Sequence, residues 1–105
     1  MKGPGNMQGM MKQVQQLQQK LQEEIALIRV EASAGGGMVT VKANGAGELV
    51  EVTIDPRAVD PDDPELLADM VLAAANEALR AAAQAVEDKL RGQMPDLGAL
   101  GLPGM

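Results

Sequence analysis

The sequence predicts an α+β domain with a long N-terminal helix, a three-stranded antiparallel meander and a long C-terminal helix. Three observations predict it. Apolar residues recur every three or four positions from Met7 to Ile28. Short β-prone runs alternate with glycine clusters between residues 30 and 55, and an alanine-dominated run lies between Pro64 and Gly92.

The first helix is expected from Met7 to about Arg29. Met7, Val14, Leu21 and Ile28 keep a seven-residue spacing, and Met10 and Leu17 fill the intervening core positions. The pattern slips at Glu24, where Ile25 takes over. Such a narrow stripe resembles a coiled-coil seam more than a globular core face. At 1.5 Å per residue the helix is about 35 Å long, more than a domain this small can cover, so its N-terminal part is expected to project.

Three strands follow, at 30–34 (VEASA), 38–43 (MVTVKA) and 48–55 (ELVEVTID). Gly35-Gly36-Gly37 and Asn44-Gly45-Ala46-Gly47 separate them and allow the positive φ of tight reversals. Val39, Val41 and Ala43 alternate with polar residues, and Val50, Val52 and Ile54 are expected on one face opposite Leu49, Glu51 and Thr53. One apolar face implies that helices cover one side only. Asp55-Pro56 ends the third strand. The second helix is expected to begin with Asp63 as N-cap and Pro64 at its first position, and to close at Gly92.

Residues 1–6 and 92–105 are rich in Gly and Pro and are expected to be flexible tails around a single domain at 7–91. The second tail carries Leu97, Leu100, Leu102 and Met105, which would make it adhesive. No signal peptide or membrane-spanning run is visible, so a cytoplasmic protein is expected.

His, Cys, Trp, Tyr and Phe are all absent. That excludes an imidazole base, a thiol nucleophile, Cys or His metal ligands and disulfides, and with them most enzyme classes. Ser33 is the only serine and has no histidine to activate it. The glycine clusters lack the GK[ST] of a phosphate loop, and Val50 stands where a dinucleotide fingerprint needs its third glycine. The acidic run from Asp60 to Glu65 places Pro64 and Glu65 where a calcium loop needs a ligand and a glycine. No catalytic, metal or cofactor site is expected. A core without aromatic side chains is also thin for a monomer, and a three-stranded sheet leaves two open edges, so a homodimer joined through the sheet is expected.

The net charge of −6 argues against nucleic acid until its distribution is considered. Residues 1–45 carry five bases (Lys2, Lys12, Lys20, Arg29, Lys42) and three acids; residues 46–105 carry four bases and twelve acids. Up to Gln22 the first helix has lysines and glutamines and no acid, a combination suited to phosphate contact with little base readout.

The Met- and Gln-rich opening GNMQGMMKQVQQLQQKLQEEIA, the strand pair GGMVTVKANGAGELVEVTIDP and the run DDPELLADMVLAAANEALR together resemble the YbaB/EbfC family over essentially the whole chain. The most specific parts are Gly37, Val39, Val41, Asn44 and Gly45, then Val52, Ile54, Asp55 and Pro56, then the run from Leu66 to Ala78. The resemblance implies a sheet-joined homodimer whose helices project like tweezers and bind double-stranded DNA with little sequence preference. It further implies roles in nucleoid organisation, transcription regulation and DNA protection, with no cofactor. Regions transfer more safely than residues. The candidate DNA contacts are Lys2, Lys12 and Lys20 from the first helix and its lead-in, and Arg80, Lys89 and Arg91 from the second. The rival expectation is a coiled-coil-type interaction module serving a DNA-processing protein.

Overall fold

A computed structural model describes residues 3–93, with side chains from Met7 to Gly92. The order is α1 (Gly3–Ala26), β1 (Arg29–Ala34), β2 (Val39–Asn44), β3 (Leu49–Ile54), a 3-10 turn (Pro56–Ala58) and α2 (Pro64–Gln93). The α+β class and the antiparallel order β1-β2-β3 are as the sequence predicts. The tail expected at 92–105 lies outside the described residues from position 94 on.

The core is a ridge of alanines seated on the central strand. Ala74, Ala78 and Ala82 recur every four residues along one face of α2 and are buried against Val39, Val41 and Ala43 of β2. Val30, Ala32 and Ala34 extend the same face on β1, with Leu67, Met70, Val71 and Leu79 closing around it from α2. Val39 and Val41 are the largest fully buried side chains among the described residues. At roughly 1.5–3 kcal/mol for each buried valine, this core contributes little for a chain of this length.

α2 lies over β1 and β2 and barely reaches β3, all of whose residues are exposed. Val41 pairs with Val52 and Val39 with Ile54, so these two β3 side chains point to the helix-bearing face. They remain 46% and 37% exposed because no part of α2 covers them. The alternation expected along β3 holds only in part. A bulge opposite Lys42 and Ala43 pairs Ala43 with Leu49, making Val50 the extra residue. Leu49 therefore joins the face of Val52, whereas Val50 lines a shallow hollow with Arg29, Glu31, Lys42 and Glu51.

Other boundaries differ from expectation for local reasons. α1 takes in residues 3–6, read from sequence as tail, and it ends at Ala26 rather than Arg29. The Arg29 guanidinium donates to the Ala26 and Ile28 carbonyls at 2.7 and 3.0 Å, and its backbone already pairs with Asn44. At the other end, α2 passes through Gly92, whose φ is not positive, so this glycine is no C-cap. The expected N-cap is present: Asp63 Oδ1 accepts from the Leu66 N–H at 3.2 Å.

Gly45 serves a purpose the sequence did not suggest. Its φ is not positive, unlike that of Gly35, Gly36, Gly37 and Gly47. A Cβ at Gly45 would collide with the Ile25 carbonyl and press on its side chain, so the missing side chain is what lets the end of α1 dock on the β2–β3 turn. Asn44 holds that turn from within: its Oδ1 accepts from the Ala46 and Glu48 N–H groups, each at 3.0 Å.

α2 passes the β1–β2 turn at Met70 and the β2–β3 turn at Leu79, Ala83 and Val86, so it runs towards the end of the sheet where α1 docks. The helices overlap only near Glu24 and Lys89, joined at 3.6 Å. The molecule is accordingly 76 Å long, and its radius of gyration is 21.0 Å against about 13 Å for a compact chain of this size. α1 is an arm.

Gly45→Ala should lower stability by about 1–3 kcal/mol in urea unfolding, the usual range for overpacking. Gly9→Ala, in open space within α1, should not lower it. At the 3-10 turn, the Arg57 guanidinium donates to both Asp55 carboxylate oxygens, and its backbone N–H adds a third bond, holding this carboxyl below the ordinary carboxylate value. A lowered folded value means that the contact stabilises above the ordinary carboxylate pKa and is lost as pH falls through the lowered one. Carbon-detected titration of Asp55 should show that low midpoint, and Arg57→Gln should raise it.

Candidate nucleic-acid interface

The projecting arm has two faces of opposite character. Met10, Val14, Leu17 and Leu21 fall on one side at intervals of three or four, flanked by Met7 and Met11. Lys12, Gln16 and Lys20, spaced by four, form a polar row that begins behind this stripe at Lys12 and comes alongside it at Lys20, which lines a hollow with Val14, Leu17 and Leu21. Both lysines are exposed and stand about 12 Å apart along the axis. Neither forms an ion pair among the described residues. Short amides between two free ammonium groups offer donors and acceptors to a phosphate backbone without a fixed base-reading geometry.

The other cations are already engaged. Arg80 pairs with Glu77 at 2.9 Å, and Arg91 with Glu87 at 2.7 Å and Asp88 at 3.7 Å, all within α2. Lys89 is partly buried between the helices, on Glu24. Lys42 sits 3.4 Å from Glu51 across the sheet, and Arg57 is 2.8 Å from Asp55. Exposed pairs of this kind add little stability, but each places a carboxylate beside the cation and lowers the local positive potential.

Of the six candidate contacts, the structure therefore groups Lys12 and Lys20 on one face and separates them from Arg80, Lys89 and Arg91. Lys2 lies outside the described residues. The acid partners of the α2 cations were visible in the sequence as i, i+3 and i, i+4 neighbours; the cross-helix partner of Lys89 was not. Gln16 is the residue that sequence reasoning did not single out, although its position midway between the lysines marks it.

Among the described residues no cluster of three or more potential metal ligands occurs, and no helix is long and apolar enough to cross a membrane.

Comparison with known proteins finds relatives over nearly the whole chain. The sequence pattern of the YbaB/EbfC DNA-binding family matches residues 2–97. A nucleoid-associated protein of Pelotomaculum thermopropionicum is 50% identical, the match covering 96% of each chain. Another, from Saccharopolyspora erythraea, is 47% identical over 98% of this chain and 97% of its own. The crystal structure of an uncharacterized protein from Helicobacter pylori superposes with a TM-score of 0.59 at 28% identity, covering 84% of this chain and 98% of that one.

Proposed function

The chain belongs to the YbaB/EbfC DNA-binding family, and from that premise we propose that it is a non-enzymatic homodimer that holds double-stranded DNA between its projecting α1 arms. Contact is to phosphates and carries little sequence preference. Its place is the nucleoid within the cytoplasm, where it shapes DNA conformation and through it gene expression and DNA protection. The observation that carries the reading is the unneutralised face of Lys12, Gln16 and Lys20 on a helix that leaves the body of the molecule. An acidic body then works in its favour, because it repels DNA everywhere except at the arms.

The sheet supports the dimer. β3 is an edge strand whose outer backbone groups are unpaired among the described residues, and Leu49, Val52 and Ile54 form an uncovered apolar row on its helix-bearing face. A second copy meeting it there would bury that row, remove two edges and set two arms on one particle.

Few phosphate contacts imply a shallow salt dependence. Four lysines per dimer, at about 0.9 per neutralised phosphate, give a log–log slope of about 3 to 4. Lys12→Glu with Lys20→Glu should weaken binding about tenfold or more on every duplex sequence and flatten that slope, whereas Arg80→Gln should change affinity by less than about threefold. Unchanged affinity in the lysine variant would remove α1 as the contact. In sedimentation at micromolar concentration the protein should show twice its 11.0 kDa chain mass, and Val52→Glu should shift it to the single-chain mass while far-UV dichroism remains helical.

A further inference from the structure

The apolar stripe of α1 has no cover among the described residues: Met10, Val14 and Leu17 are 65%, 52% and 67% exposed. The DNA reading does not use these apolar side chains: its contacts are the ammonium and amide groups of Lys12, Gln16 and Lys20, of which Lys20 flanks the stripe in a hollow lined by Val14, Leu17 and Leu21. A helix with one apolar face in water gains its stability chiefly from what covers that face. We propose that the occupant is the chain's own C-terminal segment, residues 94–105, with its large apolar side chains covering the exposed stripe of Met10, Val14 and Leu17.

Placement and length both favour this occupant. Lys89 is held to Glu24, and α2 reaches that contact from the β2–β3 turn on which α1 docks. Gln93 is four residues further on, so α2 ends about 6 Å past its contact with α1. From Lys20 to Met7 the arm runs about 20 Å. Twelve residues follow Gln93, and an extended chain of that length spans up to about 40 Å. Composition fits too. The segment contains five large apolar residues, Met94, Leu97, Leu100, Leu102 and Met105, no base and the single acid Asp96, so it complements an apolar stripe. Pro95 and Pro103 suit an extended strap, which needs no helix of its own.

The sequence has no cysteine, so a single Gly101→Cys change gives the full-length protein one site for a nitroxide label. The methyl signals of Met10, Val14 and Leu17 should broaden severalfold more than those of Val39 and Val41, and recover on reduction of the label. Mixing label-bearing chains with isotope-enriched chains lacking the label tells the sources apart: broadening confined to chains carrying their own label supports the strap, whereas broadening across chains overturns it in favour of a second copy. In the full-length Leu97→Ser, Leu100→Ser, Leu102→Ser variant, amide exchange over residues 7–21 should accelerate about tenfold with α2 unaffected. Exchange unchanged from the parent protein, or no broadening on α1, overturns the proposal. Neither readout involves DNA, so failure here leaves the DNA reading intact, and the lysine variants test that reading separately.

Discussion

The packing of Ala74, Ala78 and Ala82 on Val39, Val41 and Ala43 is the contact on which the rest of the molecule depends. Alanine lets α2 come close to the sheet, and a close helix covers a narrow strip. Two strands fit under it and the third does not. A leucine ridge would stand the helix further off and spread its contacts. The exposed row on β3 therefore follows from the same residues that make the core, and it leaves an uncovered apolar surface on a chain whose interior is otherwise satisfied: no buried side-chain polar atom lacks a hydrogen bond among the described residues.

A second constraint fixes the arm. The Ile25 backbone lies against Gly45, at a turn held rigid by the three hydrogen bonds of the Asn44 side chain. Arg29 caps the end of α1, and the Lys89–Glu24 pair sets its lateral position beside α2. These contacts all fall within the last turn or two of α1, so the helix is anchored at one end and free along the remainder. Lys12 stands along the free length of this rod, and Lys20 stands one turn from its anchored end. The charge asymmetry of the sequence thus becomes a spatial asymmetry of the molecule.

The ion pairs sharpen which charges count. In sequence the bases of α2 look equivalent to those of α1. In three dimensions Arg80 and Arg91 share their helix surface with carboxylates, and Lys89 is spent on joining two helices. Only α1 offers lysines spaced along one face with amides between them. The family's DNA-binding character is consistent with a net charge of −6 because binding depends on local potential within a Debye length, about 8–10 Å, rather than on the sum over the chain.

By itself the sequence determined the α+β class, the order of elements, the glycine turns, the N-cap at Asp63 and the amphipathic character of α1, because each rests on periodicity or on backbone preferences of nearby residues. It also exposed the basic opening and the acidic remainder. It misplaced what depends on distant partners. The end of α1 is set by Arg29 pairing with Asn44, the role of Gly45 by Ile25 twenty residues earlier, and the facing of Leu49 and Val50 by a bulge opposite Lys42 and Ala43. Likewise only the tertiary structure decided which lysines are free, since the partner of Lys89 comes from the other helix. Local chemistry wrote the elements, and contacts between residues far apart in the chain decided which of their faces are left to bind something else.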